Sequence, residues 1–282
     1  MINSVNTNSS AMVAVESLNA TNAALQATQK QISTGYRVAD ATDDGAAYAV
    51  AERVRSDVAG LTTANQQLGG VQGLLGTTNA ALNKINDAMT DARQMLTNLS
   101  SGENIGAQRT DYQDQYRTDM QTIRSALQDS SYMGKTLIGN VTGRSGSFGG
   151  VGVVRNEVGA TYSIGTFSGS AFIGSIAVNA TNLTATAAAA MISNSGVFLN
   201  TLTKLTSAQN QYGNSTNYVD SQISYNSDKI DALNNGLGSL IDADLTQESA
   251  ELQALQVRQQ LGTQALSIAN QAPQTLLSLF KS

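Results

Sequence analysis

Residues 54–96 read VRSDVAGLTTANQQLGGVQGLLGTTNAALNKINDAMTDARQML, and the spacing of their apolar side chains decides the fold. Val54, Leu61, Leu68, Leu75, Leu82, Met89 and Leu96 recur at every seventh position. Ala64, Val71, Ile85, Ala92 and Leu99 stand three residues beyond members of that ladder. A seven-residue repeat divided into three and four places both columns on one face of an α-helix. At ~1.5 Å rise per residue, a helix from about Ala46 to Leu99 is roughly 80 Å long. One helix cannot bury its own stripe, so partner helices must come from elsewhere in the chain.

Composition narrows what those partners do. Only 13% of the 282 residues are charged, against roughly 25% in an ordinary soluble domain. Polarity therefore comes from Asn, Gln, Ser and Thr, and so weakly charged a surface suits a subunit packed against copies of itself. A net charge of -5 and the lack of a Lys/Arg-rich run argue against a nucleic-acid partner. Zero Cys excludes a disulfide framework, a thiolate zinc site and a Cys nucleophile, and zero His removes the commonest general base. No run approaches 18 apolar residues, so no membrane span is expected. Residues 1–10 lack the basic and apolar regions of a cleavable secretory signal. No catalytic, cofactor or metal site is expected, and an enzyme is the weakest class of reading.

Taken in order, residues 1–34 predict a first helix. Ala11, Val15, Leu18, Leu25 and Ile32 form its seam, Asn22 and Gln29 fill the remaining seam positions, and Gly35 caps it. Glu16 and Lys30 are its only charges. Asp43 and Asp44 precede the long helix, where capping accounts for both carboxylates without a metal or an acid/base pair. A third helix is expected over about 107–129, with Tyr112, Tyr116, Met120, Ile123 and Leu127 on a core-facing stripe.

From 130 to about 182 glycine becomes frequent. The runs Val151–Arg155, Thr161–Phe167 and Phe172–Val178 predict a small hairpin or meander. Gly134-Lys135-Thr136 ends like a phosphate-binding loop, but position 129 holds Asp129 where the leading Gly belongs, so the motif fails. Helix returns over about 184–233, with Leu202, Leu205, Tyr212, Val219, Ile223, Ile230 and Leu233 as its stripe and Gly236 and Gly238 as its break. A last helix over about 240–280 carries Ile241, Leu245, Leu252, Leu255, Leu266, Ala269, Leu276 and Phe280 in its seam. Asp242, Asp244 and Glu248 mark its start, and Pro273 should bend its last turns.

The fold class expected is mainly α: a long antiparallel helical, coiled-coil rod with a small β-hairpin region at one end. Residues 1–35 and 237–282 should form a terminal-helix domain, and 36–236 the rod domain with β structure at about 130–182.

Several runs resemble bacterial flagellin. They are Ser33-Thr34-Gly35-Tyr36-Arg37-Val38 with Asp43-Asp44 and Ala51-Glu52-Arg53, and the tail Asp242-Ala243-Asp244-Leu245, Glu248-Ser249-Ala250 and Gln259-Gln260-Leu261-Gly262. The tail continues through Gln264-Ala265-Leu266-Ser267-Ile268-Ala269-Asn270-Gln271-Ala272-Pro273 to Leu276-Leu277-Ser278-Leu279-Phe280. The likeness spans roughly residues 1–140 and 185–282, with a middle too short for outer variable domains, as in alphaproteobacterial forms. It implies a structural subunit that polymerises into the flagellar filament for motility, outside the cell. The implied partners are other copies of the chain, the flagellar type III export apparatus, a secretion chaperone, the cap and hook-associated proteins. Leu18, Leu25, Ile32, Leu245, Leu252, Leu255, Leu266, Ala269, Leu276 and Phe280 on the terminal helices are the implied assembly residues. A hook–filament junction protein, sharing the terminal helices, is the alternative.

The resemblance also locates a run that, in enteric flagellins, engages a vertebrate Toll-like receptor and has the form Leu-Gln-Arg-Val-Arg-Glu-Leu. Aligning Ala81-Leu82-Asn83-Lys84-Ile85-Asn86 with the family's preceding segment puts that run on Met89, Thr90, Asp91, Ala92, Arg93, Gln94 and Met95. Asp91 reverses the first arginine's charge, Gln94 neutralises the glutamate, and Arg93 keeps the family's residue.

Overall fold

The computed structural model describes residues 8–176 and 183–279, with side chains as far as Gln271 in the last helix. The helices are α1 (Ser9–Thr34), α2 (Gly45–Ser100), α3 (Gly106–Asp129), α4 (Gly169–Ile176), α5 (Ala185–Ile192), α6 (Val197–Ile241) and α7 (Leu245–Leu279). The strands are β1 (Lys135–Thr136), β2 (Ser147–Phe148), β3 (Val151–Val154) and β4 (Thr161–Ile164). The chain is mainly α, as its periodicity requires.

Contacts divide it into two compact units, residues 1–56 with 231–282 and residues 57–230. Residues 36–56 and 231–236 thus group with the terminal helices.

The larger unit is built on the heptad ladder. Leu61, Leu68, Leu75, Leu82, Met89 and Leu96 are all fully buried, as are Ala64, Ile85, Ala92 and Leu99. Val54 is only half-buried. Thr78 occupies a seam position polar in sequence yet 0% exposed, its hydroxyl donating to the Leu74 carbonyl at 2.7 Å. From α3 come Tyr116, Ile123 and Leu127, and from α6 Phe198, Leu205, Tyr212 and Val219. Gln72 donates to Asp220, Asn79 to Thr216 and Asn226 to Asn65, so α2 and α6 run antiparallel. Tyr116 and Tyr212 satisfy their hydroxyls on backbone carbonyls, Tyr116 on Ile176 and Tyr212 on Leu137 and Gly165.

β3 and β4 form the expected hairpin, Val151 opposite Ile164 and Val154 opposite Thr161. β1 and β2 pair separately, in parallel. The hairpin docks on the long helices through a 4.1 Å stack of Tyr162 on Tyr218, and Lys229 pairs with Glu157 at 2.5 Å. A Cβ at Gly60 would lie 3.2 Å from Glu157 Cβ, which is why the hairpin's turn can close on α2 there.

Three local expectations are corrected. The run from Phe172 is not a strand but α4, because Gly169, Phe172 and Ile176 fall at helical spacing and all three are buried; residues 177–178 lie outside the described residues. The helix expected over 184–233 is two helices. Thr184 caps α5 by accepting from Ala187 N–H, and the chain turns back so tightly that a Cβ at Gly196 would sit 2.1 Å from the Met191 carbonyl oxygen. Gly236 and Gly238, expected to break a helix, lie inside α6. Glycine in a helix interior costs only about 1 kcal/mol relative to alanine. α6 instead ends where the Ile241 carbonyl accepts from Arg37 N–H and Val38 N–H.

Candidate assembly surface

The terminal helices pack on each other, α1 against α7. Asn8 donates to the Ala269 carbonyl at 2.7 Å, and Gln259 donates to Asn22 at 2.7 Å, so they too are antiparallel. Asn8 also caps α1, accepting from Ala11 N–H, and Gly35 ends it in the left-handed conformation at φ 73°. Asp244 opens α7 by accepting from Thr246 and Gln247 N–H.

The seam between them differs from the expected one. Thr21 and Thr28 are its buried α1 residues, Asn22 is half-buried and Gln29 is exposed. Leu18, Leu25 and Ile32 are half-buried beside them. The Thr21 hydroxyl donates to the Ser17 carbonyl, which lets a polar residue occupy an apolar position. Among the described side chains of α7 only Leu255 is fully covered; Leu252, Leu266 and Ala269 are half-buried, and Leu245 is 50% exposed. A Cβ at Gly262 would meet Leu18 Cδ1 at 3.3 Å, so the helices approach closely at that level. Nothing is described of the Leu276 side chain, and Phe280 lies outside the described residues.

Much apolar surface on these two helices is left uncovered. Met12, Val13 and Val15 on α1, and Val257, Leu261 and Ile268 on α7, are all exposed. An open groove of about 770 Å³ runs beside Ala11, Met12, Val13, Val15 and Leu266. The spacing of Val257, Leu261 and Ile268 at four and seven was the signal for a second apolar row on α7. Thr21 and Thr28 carried the same heptad signal but are polar by residue type.

The connection from α1 to α2 is fixed by charge. Lys30 Nζ lies 2.7 Å from Asp40 and 2.8 Å from Asp43. Hydrogen bonds from Lys30 hold both carboxyls below their usual range, and the same bonds raise Lys30. Asp44, not Asp43, caps α2, accepting from Ala46 and Ala47 N–H at 3.0 Å. Beside it Val38, Ala47, Ala51 and Ile241 make a small apolar cluster. Among the described residues no three potential metal-ligating side chains stand together, and no helix is long and apolar enough to cross a membrane.

Of the run at 89–95, Met89 and Ala92 are buried in the α2 seam, while Asp91, Arg93 and Gln94 are exposed and Met95 is half-buried.

Comparison with known proteins decides the family. Residues 5–142 match the bacterial flagellin N-terminal helical region, and residues 198–280 match the bacterial flagellin C-terminal helical region. The chain belongs to the bacterial flagellin family. It is 33% identical to a flagellin of Brucella melitensis and 32% identical to flagellin FljK of Caulobacter vibrioides, covering 99% of each chain in both comparisons. Among solved structures, Bacillus cereus flagellin matches with a TM-score of 0.51 at 15% identity, over 57% of this chain and 88% of that one. A putative flagellar hook-associated protein from Vibrio parahaemolyticus matches with a TM-score of 0.59 at 12% identity, over 71% of this chain and all of that one. At such identities the structural likeness speaks for the fold alone. Full-length flagellin relatives, by contrast, place the chain with flagellin rather than with junction proteins. As a flagellin it is a structural subunit that polymerises with copies of itself into the flagellar filament, the organelle of bacterial motility.

Proposed function

We propose that the terminal helices are the filament-core domain of this flagellin and that assembly proceeds by covering their exposed apolar rows. The observation that carries this is the pairing of little charge with much exposed apolar surface on α1 and α7. Burial of such surface stabilises by roughly 25 cal/mol per Å². Leu18, Leu25, Ile32, Leu252, Leu255, Leu266 and Ala269 hold α1 to α7, and Leu245, half-exposed, is free to meet another copy. Leu276 and Phe280 extend the same function by their place in the sequence. The larger unit carries the hairpin. Membership of the flagellin family supports a structural role rather than an enzymatic one.

The family resemblance supports export through the flagellar type III apparatus without a cleavable signal, with a chaperone before export and cap and hook-associated proteins at the filament ends. Seeded elongation tests the assembly reading. The full chain should extend filament seeds indefinitely, whereas a variant lacking residues 245–282 should fail while its larger unit stays folded by circular dichroism. Filaments of normal length from the truncated chain would overturn it.

A further proposal concerns the vertebrate receptor. Asp91 and Gln94 are exposed where the receptor-binding run carries an arginine and a glutamate. A carboxylate in place of a guanidinium forfeits charge-assisted hydrogen bonds and adds repulsion toward acceptors. Depolymerised wild type should therefore activate a receptor-reporter cell weakly, and Asp91→Arg with Gln94→Glu should raise the signal. Strong activation by the wild type would refute it.

A further inference from the structure

Each terminal helix has two apolar faces, and only one is used within the chain. On α1 the seam takes Leu18, Thr21 and Leu25, leaving Met12 and Val13 at 68% and 66% exposure. On α7 the seam takes Leu255, Gly262 and Leu266, leaving Leu261 and Ile268 at 62% and 63%. Each exposed face also carries one charge. Glu16, the only acid of α1, lines the groove beside Met12 and Val13. Arg258, the only cation of α7, stands one turn before Leu261. Neither forms an ion pair among the described residues.

These two charges are not mates within one chain. Arg258 is level with the Asn22–Gln259 hydrogen bond. Glu16 lies six residues back along α1, about 9 Å along the axis. Between copies the register is different. In an open helical polymer every contact is heterologous and all copies point the same way. α7 of one copy therefore meets α1 of another antiparallel, as it meets its own α1. In that orientation, setting Leu261 against Val13 brings Arg258 against Glu16, because both pairs are separated by three residues. The apolar and the charged matches fall in one register, and no other cation on α7 can supply the second.

We propose that the Arg258–Leu261 face of α7 in one copy seats in the α1 groove at Met12, Val13 and Glu16 of a second copy, with Arg258 paired to Glu16. This deepens, and rests on, the reading of the terminal helices as the filament core. The apolar row contributes the attraction and the charge pair selects the register. An exposed pair is weak in energy but decisive between registers that bury similar apolar area.

The absence of cysteine makes the test direct. Val13→Cys and Leu261→Cys chains, each carrying a single thiol, are mixed, assembled on seeds and oxidised. A covalent dimer is expected from the assembled mixture, but not from the same mixture kept monomeric, nor from either variant assembled alone. An assembled mixture without that dimer, or a dimer from one variant alone, overturns the proposal. Elongation of the seeds in the same sample shows whether the filament-core reading still stands. Charge reversal gives a second measurement with surface substitutions only. Glu16→Arg and Arg258→Glu should each slow elongation roughly five-fold at low salt, and the double variant should return to within about two-fold of wild type. Simple multiplication of the two losses overturns the pairing.

Discussion

Asp119 is a carboxylate in an apolar stripe, 6% exposed between Tyr116 and Ile123, and its Oδ2 has no hydrogen-bond partner. Gln115 reaches only the other oxygen, at 3.4 Å. Burial raises the Asp119 pKa, and Asp91 on α2 raises it further. The same burial, with Asp119 beside it, pushes the Tyr116 phenol up to about 12. A folded-state pKa above the unfolded value means that the native chain holds this proton to higher pH. The stability it contributes is thus full below the ordinary Asp value and lost as pH rises through the raised one. At neutral pH Asp119 therefore opposes folding. Asp119→Leu should stabilise the larger unit by on the order of 1 kcal/mol at pH 7. Urea unfolding of the two chains should show that gain shrinking as the pH is lowered to about 4. A loss of stability at pH 7 would show that the carboxylate is needed where it is.

At the scale of elements, glycine shows what the sequence could and could not say. Gly35 ends α1 as its position predicted, since a positive φ there suits no other residue as well. Gly236 lies in a helix with nothing within 4 Å of a Cβ, whereas a Cβ at Gly196 would collide with the Met191 carbonyl oxygen. Residue type alone does not distinguish these cases, because the neighbour that decides comes from the folded chain. Gly236→Ala should therefore stabilise by about 0.5–1 kcal/mol. Gly196→Ala should cost about 3 kcal/mol or more, since backbone must move. Denaturant midpoints for both variants check this, and equal effects would mean that the α5–α6 turn relaxes freely. The same division holds elsewhere. The heptad of α2 is legible because its seam positions are apolar except two: Asp57, half-buried at one end of the ladder, and Thr78, which satisfies itself on its own helix. The α1 seam lies one residue from the expected one at two positions, because Thr21, satisfied on the Ser17 carbonyl, and Thr28 are buried where Asn22 and Gln29 looked equally suitable. α4 reads as a strand in sequence because its Phe and Ile favour both structures, and eight residues are too few to show a period.

The two units are stabilised very unequally, and this bears on how a flagellin monomer becomes a polymer. The larger unit has a continuous core running from Leu68 to Val219. In α1 and α7, by contrast, only Thr21, Thr28 and Leu255 are fully buried among the described residues. The charge cluster at Lys30, Asp40 and Asp43 holds the turn between α1 and α2 rather than the seam. Because Lys30 depresses both carboxyls, its contribution is present above the ordinary Asp value and is lost as pH falls through the lowered ones. It cannot compensate at neutral pH for the missing apolar burial. Local opening free energy follows buried contact, so α1 and α7 should open far more often than the middle of α2. Assembly should then supply the burial that the single chain lacks, with ordering of the terminal helices coupled to it. Hydrogen exchange on dilute monomer should find amides of residues 10–30 and 248–270 exchanging at least about a hundred-fold faster than those of 75–96. In the assembled polymer that gap should close. Equal protection of the two sets in the monomer would mean that the α1–α7 pair is a stable domain by itself. Assembly would then be the docking of preformed surfaces rather than coupled folding.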